Sequence, residues 1–521
     1  MKEIKEIIYK HALKNAVKYG GKAQLKPVIS KVFHEKPDLK KRAREIVEIA
    51  REIIREVNSL TLEEQKRILR EKWPEELKEE KREYKKTLPP LPNVSKYKMV
   101  VTRFAPNPDF DIHIGNARAA ILSHEYARMY NGKFILRFED TDPKTKTPIK
   151  EAYDAIRESL KWLGIKWDEE YIQSLRMEIY YEYARKLIEK GGAYVDLCSP
   201  EEISRMRKEG IRCKHAQQSV EENLELWDKM LSGYFGEQEA VLRVKTDPQY
   251  PDPSVRDWIA LRIIDTTKYP HPIVGSKYIV WPTYNFACGI DDHLMGVTHI
   301  LRGKEHIMNT IKQQFMYEHF GWEYPEAIHT GRLKVEGFVL SKSKMREGIR
   351  RGLYTGWDDI RLATISALRR RGILPEAIKA IILDVGIKSS EARISLVNLY
   401  AINRRLLEPI ANRYMFVKDP VPLEVIDVPP NLKASIPFHP SHPERGKRTV
   451  LPTYSNGVIK VLISRDDVSS LKTGSKLRLM GLCNLEIVEL TEDRVVGRFI
   501  SREHRNAHRE NIPIIQWAPL S

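Results

Sequence analysis

Two short segments of the sequence carry residue types that suit phosphate chemistry. The first, 103–116, ends in His113-Ile-Gly-Asn116. The His113 ring can donate a hydrogen bond to a phosphate oxygen, and Gly115 would let a ligand approach the backbone closely. A helix that begins here would add its N-terminus to an anion site. A lone histidine in a turn is, however, more often structural than catalytic.

The second segment, 339–345, reads Val-Leu-Ser-Lys-Ser-Lys-Met. In a mobile loop, Lys342 could reach a nucleotide phosphate as charge develops during an in-line displacement. Ser341 and Ser343 would shape that loop. A basic Ser-Lys loop is usually a solvated turn, so neither segment alone predicts an enzyme.

The elements around these segments predict a doubly wound parallel sheet. Residues 99–104 read as a strand, 115–130 as a helix and 133–138 as a second strand, followed by another helix. A similar alternation resumes at 297 and continues to about 345. Strands that alternate with helices indicate a Rossmann-type sheet, which binds ligands at the carboxyl ends of its strands.

The remaining segments predict a multidomain chain. Apolar residues at helical spacing between Leu39 and Val57 indicate a helical N-terminal extension. The prolines of 88–93 indicate a linker, and short β-rich runs after 412 indicate an all-β barrel. We expect six regions: a helical extension with its linker (1–93), a first catalytic half (94–190), an acceptor-binding insertion (191–285), a second catalytic half (286–345), a helical connector (346–411) and the barrel (412–521).

Composition narrows the classes of partner. The 521 residues include 88 basic and 71 acidic side chains, for a formal charge of +17 and a pI near 9.4. Such an excess favours polyanions, although a generically basic protein remains the alternative. Four cysteines cannot form a disulfide framework, so a cytoplasmic location is expected. The absence of a long apolar run, of about 18 residues, excludes a membrane helix.

The two phosphate segments, in this order and on these elements, resemble the paired HIGH and KMSKS signatures of class I aminoacyl-tRNA synthetases. Further motifs resemble those of glutamyl-tRNA synthetases: residues 103–108, 137–142, 281–284, 291–297 and 301–302. The segment 16–21, the linker and the β-rich C-terminus resemble the archaeal branch of that family, whose anticodon-binding region is a β-barrel.

The resemblance implies a glutamate–tRNA ligase that uses ATP with Mg²⁺, acts on tRNA(Glu) and is a monomer. Whether tRNA(Gln) is also charged is left open. Arg103 and Arg302 would hold substrate carboxylates, Glu139 would accept from the amine, and Ala105 and Tyr284 would line the pocket. The nucleotide would be bound by His113, Gly115, Asn116, Ser341, Lys342 and Ser343, with His113, Asn116 and Lys342 acting on the phosphates.

Two positions depart from the family pattern. Asn116 replaces the final histidine of HIGH, which keeps a hydrogen-bond donor but loses the ability to carry charge. Phe110 stands where a glycine is usual, so the turn is expected to differ in shape.

A metal site is less well supported. Cys198, Cys213 and His215 lie where archaeal relatives can carry a Cys-x-Cys…Cys-x-His set, but Asp196 replaces the first cysteine. Three good ligands with a doubtful fourth fall short of a zinc set, so no structural zinc is expected. Cys288 and Cys483 read as ordinary buried cysteines.

Two alternative functions remain at this stage. A glutaminyl-tRNA synthetase would share the architecture, but that group usually has proline where this chain has Ala105, and Arg302 suits a carboxylate better than an amide. A non-catalytic tRNA-binding relative would not need both phosphate segments intact. Measuring ATP–pyrophosphate exchange would separate enzyme from binder.

Overall fold

The apolar stripe near the N-terminus forms the core of a helical unit in the computed structural model, which describes residues 2–18, 21–73, 88–338, 340–491, 493–504 and 512–520. Ile46, Ala50 and Val57 are fully buried there. Thr61 and Glu64 form a capping box at the start of its last described helix. The described residues of this unit, Met1–Thr87, form four α-helices: α1 (Lys2–Lys18), α2 (Leu25–Glu35), α3 (Ala43–Ser59) and α4 (Leu62–Lys72).

The second unit, Leu88–Ser521, begins with the predicted strand–helix alternation. Strand β1 (Val101–Phe104) pairs in parallel with β2 (Lys133–Phe138), and β2 pairs in parallel with β3 (Glu169–Ile172). Helix α5 (Ile114–Met129) follows β1 and α6 (Lys150–Trp162) follows β2. Strands β1 and β2 are buried because α5 and α6 bring apolar side chains against the sheet, whereas β3 is only partly buried.

A four-stranded antiparallel sheet, with strands in chain order, forms the insertion. Its strands are β4 (Ala193–Asp196), β5 (Val241–Val244), β6 (Ile259–Ile263) and β7 (Val280–Pro282). Three helices, α7 (Met177–Glu189), α8 (Pro200–Glu209) and α9 (Val220–Leu231), accompany it. Trp227 and Trp281 are fully buried in its core, so the segment that looked irregular in sequence is a packed subdomain.

The parallel sheet resumes after α10 (Tyr284–Leu294), with β8 (His299–Gly303), α11 (Ile307–Phe320) and the parallel partner β9 (Glu326–Thr330). The backbone amide of Thr298 donates to the carbonyl of Val101 at 2.9 Å, which joins β8 to β1. The strand order is therefore β3-β2-β1-β8-β9. The order reverses between β1 and β8, and open sheets of this kind bind ligands at such a reversal.

A helical connector follows, with a small parallel pair of strands within it. It contains α12 (Lys342–Arg350), α13 (Ile365–Arg370), α14 (Pro375–Val385) and α15 (Leu396–Leu407), and β10 (Leu333–Val335) pairs with β11 (Ala392–Ile394). The sequence predicted helices here but missed β11.

Where the structure describes it, the C-terminal region is a large β-structure with one short α-helix, α16 (Arg465–Val468). Its strands are β12 (Pro420–Ile426), β13 (Ala434–Pro437), β14 (Lys447–Val450), β15 (Thr453–Ser455), β16 (Val458–Ser464), β17 (Lys476–Leu479), β18 (Cys483–Leu490), β19 (Val495–Ser501), β20 (Ile514–Ile515) and β21 (Ala518–Pro519). The main sheet has the order β15-β16-β12-β19-β18-β17-β20, and β21 pairs with β16. Trp517 and Leu485 are fully buried between these strands.

No helix in the described part of the chain is long and apolar enough to cross a bilayer.

Candidate active site

A cleft of about 760 Å³ lies at the carboxyl ends of the parallel strands. Most of the side chains that the sequence singled out for binding line this one cleft, although they come from distant parts of the chain. They are Arg103, Ala105, His113, Gly115, Asn116, Glu139, Tyr284 and Arg302.

His113 is held at the start of α5 by a reciprocal cap. Its Nδ1 accepts from the backbone amide of Asn116 at 3.2 Å, and the Asn116 side-chain oxygen accepts from the His113 amide at 3.3 Å. An amide can only donate, so Nδ1 is unprotonated and the proton of the neutral ring lies on Nε2. The cap thus fixes both the tautomer and the position of a donor at the helix N-terminus.

Gly115, which lines the cleft, also leaves room for the His113 ring. A Cβ at this position would lie 2.8 Å from Cε1 of His113 and 2.9 Å from its Nδ1. The space above the glycine is therefore filled by the histidine ring of the same cap. Gly115 is needed because that ring folds back over the helix start.

The second phosphate segment forms the start of a helix, where a mobile loop was expected. Leu340 lines the cleft, Ser341 occupies the N-cap position, and Lys342 is the first residue of α12. The hydroxyls of Ser341 and Ser343 lie 3.1 Å apart. The Lys342 side chain and the whole of Val339 fall outside the described structure, so the role of Lys342 remains a prediction.

Arg103 is already paired with a carboxylate. Its Nε and Nη2 donate to the two oxygens of Asp292, at 3.1 and 3.3 Å. Arg137 donates to the same Asp292 at 2.8 Å and to Glu139 at 3.0 Å. Burial alone would raise the pKa of Asp292, but the two arginines hold it below its usual value.

Arg302 differs in having no acidic partner among the described residues. The residue is 6% exposed, and its guanidinium donates to neutral oxygens only: the Tyr324 hydroxyl at 2.9 Å, the Gln313 side-chain oxygen at 3.1 Å, the Tyr284 hydroxyl at 3.4 Å and Thr310. Its Nε is buried without a hydrogen-bond partner. A buried cation is costly unless it is paired, so the site is poised for an anion.

The surroundings of Arg302 do not add a second positive charge. Burial and the charge of Arg302 lower the pKa of His306 to about 4, so this neighbouring imidazole is neutral at pH 7. Arg103 and Arg137 pair with the carboxylates of Asp292 and Glu139, whereas Arg302 pairs with neither. Counting these five groups as ionised, the buried cluster carries one unmatched positive charge.

The four candidate metal ligands of the insertion converge in space. Ligand atoms of Asp196, Cys198, Cys213 and His215 all lie within 4.8 Å of one another. The two sulfurs are 3.3 Å apart, and His215 Nδ1 lies 3.6 Å from Cys198 and 3.2 Å from Cys213. Asp196 Oδ1 is 2.9 Å from His215 Nδ1, while its other oxygen accepts from Arg243.

Sequence reasoning missed three members of the buried cluster. In the sequence, Arg137 and Asp292 stand out only as members of the motifs 137–142 and 291–297, and neither is assigned a role. Cys288 is buried, as expected, but its sulfur lies 3.4 Å from Arg137 Nη2 and 3.5 Å from Asp292. Cys288 and Asp292 lie four residues apart, a spacing that places both on one face of α10 and could have revealed their contact.

Comparison with known proteins gives consistent matches along most of the chain. Residues 99–409 match the family described as tRNA synthetases class I (E and Q), catalytic domain, and residues 411–502 match the anti-codon binding domain of the same synthetases. A glutamate–tRNA ligase from Hyperthermus butylicus is 57% identical over 97% of this chain and 88% of the relative. One from Thermococcus kodakarensis is 54% identical over 519 residues, which cover 99% of this chain and 89% of the relative. A solved glutamate tRNA ligase from Elizabethkingia meningosepticum, in complex with its amino acid, aligns at 24% identity with a TM-score of 0.45, covering 60% of this chain and 71% of its own.

Proposed function

The chain belongs to the glutamate–tRNA ligases of class I, and on that premise we propose which of its residues bind the substrates. As a member of this family it is an aminoacyl-tRNA ligase that joins glutamate to tRNA with ATP. A glutamate carboxylate oxygen attacks the α-phosphorus of ATP, and pyrophosphate leaves. A terminal ribose hydroxyl of tRNA then attacks the glutamyl carbonyl, and AMP leaves.

We place the ATP phosphates at the start of α5. The proton on His113 Nε2, the amino group of Asn116 and the first backbone amides of the helix supply donors there, and the helix dipole favours negative charge. The start of α12 borders the same cleft at Leu340, which would bring Lys342 toward the phosphates. Mg²⁺ would accompany ATP and neutralise part of the phosphate charge.

The observation that carries the amino-acid assignment is the buried, acid-free Arg302. Its unpartnered Nε and an adjacent Nη can form a fork with a carboxylate, the geometry that arginine prefers. We assign the substrate side-chain carboxylate to this arginine. Nε and Nη2 of Arg103 donate to Asp292, so we assign the substrate α-carboxylate to its Nη1. Glu139 would accept from the substrate amine.

Charge explains why glutamate suits this pocket better than glutamine. Glutamate carries one positive and two negative groups, so its net charge of −1 cancels the single unmatched positive charge of the cluster. Glutamine has no net charge and would leave Arg302 buried without a counterion. The cost of burying the Arg302 guanidinium without a counterion therefore disfavours glutamine. Other binding sites reject, for the same reason, ligands that leave a buried polar group unpaired.

ATP–pyrophosphate exchange tests the assignment as a whole. We expect exchange with glutamate, dependent on added tRNA as is general in this group, and much weaker exchange with glutamine. Exchange that is equally efficient with glutamine would contradict the pocket assignment. A complete absence of exchange with purified tRNA would contradict the catalytic proposal.

We propose that an aromatic–arginine surface at the start of the barrel contacts unpaired tRNA bases. Tyr414 is 66% exposed and Phe416 is 75% exposed. The Arg448 guanidinium lies 4.8 Å from the centre of the Tyr414 ring and 5.9 Å from that of Phe438. Exposed rings beside arginines provide both faces for stacking and charge for phosphates.

Replacing Tyr414 with alanine should therefore raise the KM for tRNA roughly tenfold, because loss of one base-stacking ring costs about 1–3 kcal/mol. The KM for ATP should not change. Tyr454→Ala is the control: this tyrosine is also exposed in the barrel region but has no cation over its ring within the described residues. Equal losses in both variants would show that the effect is not specific to this surface.

We also propose that the insertion binds a structural zinc ion. Zinc–ligand bonds of about 2.0–2.3 Å in a tetrahedron place ligand atoms roughly 3.3–3.8 Å apart. The distances within the set of Asp196, Cys198, Cys213 and His215 approach that range. The ion would join the loop after β4 to the segment before α9, and Arg243 would orient the aspartate.

Metal analysis of the purified protein should find about one zinc ion per chain, as in other closed four-ligand sites. Cys213→Ser should abolish most of that zinc and lower the unfolding temperature. Cys483→Ser, which alters a fully buried cysteine of the barrel, should leave the zinc content unchanged. Wild-type protein without zinc would confirm the expectation drawn from the sequence and reject this proposal.

A further inference from the structure

Phe110, the departure from the usual glycine, lies in a small apolar cluster beside the phosphate site. Its side chain is 3% exposed. The ring centre lies 5.8 Å from that of His113 and 5.2 Å from that of Trp357. Its buried partners are Met345, Leu362 and Ala367. We call these four residues, with Trp357, the Phe110 cluster.

The backbone around Phe110 is firmly held. The amide of Ile114 donates to the Ala363 carbonyl at 3.0 Å, and the amide of Ile365 donates to Ile112 at 2.9 Å. The buried carboxylate of Asp111 accepts from the hydroxyls of Ser159 and Ser366. These bonds fix the main chain of the turn. The orientation of the side chains on it depends on packing.

The same cluster includes the helix that begins at Lys342. Met345 lies one turn into α12 and is fully buried. Arg346, the next residue, donates to the Asp109 carbonyl at 3.0 Å. A phenylalanine therefore stands between the histidine of the first phosphate segment and the helix that carries the second. A glycine at this position would contact neither.

We propose that Phe110 is a positioning residue for adenylate formation, in that its ring sets the tilt of the His113 imidazole and links it to α12 through Met345. The inference rests on the proposed phosphate role of His113. The cap hydrogen bond holds the His113 ring at Nδ1, on one edge of the imidazole. Packing of the Phe110 ring against the imidazole restrains its tilt about that bond, and small misplacements of a catalytic group can cost about a hundredfold in rate.

Three variants of the full chain separate positioning from core packing. Phe110→Ala removes the ring, Phe110→Leu keeps much of its volume, and Leu362→Ala empties space in the same cluster without touching His113. For each we would measure kcat and the KM values for ATP and glutamate in tRNA-supported exchange, together with the unfolding temperature.

We expect Phe110→Ala to lower kcat for exchange at least tenfold, with about a hundredfold as the upper range, and to leave the glutamate KM unchanged. Phe110→Leu should recover most of the wild-type rate. Leu362→Ala should keep that rate, although its unfolding temperature should fall by about as much as that of Phe110→Ala.

A double-variant comparison tests the link to α12. Met345→Ala should also lower kcat, and the variant carrying both Phe110→Ala and Met345→Ala should be no slower than the worse single variant, because coupled residues act non-additively. Equal rate losses in Phe110→Ala and Leu362→Ala at equal unfolding temperatures would overturn the proposal, as would purely additive effects. If the proposed function itself were wrong, the wild-type protein would show no exchange at all. That result separates failure of the proposed function from failure of the Phe110 proposal.

Discussion

Arg302→Ala is expected to raise the KM for glutamate by roughly 100- to 1,000-fold while the KM for ATP changes little. Truncating one partner of a buried, hydrogen-bonded charge pair typically costs about 2–5 kcal/mol. Arg302 meets the conditions for such a pair, since it is 6% exposed, has an unpartnered Nε and contacts only neutral groups of the protein. Steady-state aminoacylation with varied glutamate measures the effect directly.

Two companion variants make the result specific. Arg302→Lys keeps the charge but loses the planar fork, so we expect an intermediate rise in the glutamate KM. Arg478→Ala is the matched control, because Arg478 is 5% exposed, also has a buried Nε without a partner, and lies in the barrel. It should lower stability and leave the glutamate KM unchanged. Equal losses for ATP and glutamate in Arg302→Ala would mean that this arginine serves the nucleotide or the fold.

The Arg302 variant should also change selectivity. In the wild-type protein glutamine would leave the guanidinium without its counterion, and glutamate would not. Removing the guanidinium abolishes that difference, so glutamine should compete with glutamate more effectively in Arg302→Ala than in the wild type. Competition measured in the same aminoacylation assay tests this, and an unchanged ratio would place the specificity determinant elsewhere.

The fold could be predicted where local pattern and tertiary packing agree. Residues 133–138, which lie between two predicted helices, form β2 as expected. The sequence analysis assigns no particular strand between 420 and 452, a segment rich in proline. Strand β12 nevertheless begins at Pro420, because its remaining residues pair with β16 and β19 and bury Val421, Leu423 and Val425.

The site was predictable in its residue types but not in its pairings. Arg103 and Arg302 both follow the pattern of an arginine at a strand end, and the sequence assigned both to substrate carboxylates. Only the structure shows that Asp292 occupies one edge of Arg103 and that no described acid faces Arg302. The two partners are 189 residues apart in sequence, so no local pattern could distinguish the two arginines.

His113→Ala is expected to lower the rate of tRNA-supported exchange on the order of 10²–10³-fold, the usual cost of removing one preorganised transition-state donor. The cap leaves the proton of His113 on Nε2 and fixes the ring over Gly115. The donor is therefore in place before the phosphate charge develops, and its loss should fall mainly on kcat.

Gly115→Ala tests the same geometry without deleting the ring. A Cβ there would lie 2.8 Å from the His113 ring, so the imidazole must move and a large part of the rate should be lost with it. The control is His124→Ala, on the same helix α5 and similarly buried at 7% exposure, but not part of the cleft lining. Because its removal weakens α5 without touching the phosphate site, it should retain most of the activity. If His124→Ala lost as much exchange as His113→Ala, the effect would arise from the stability of α5 and not from donation to phosphate.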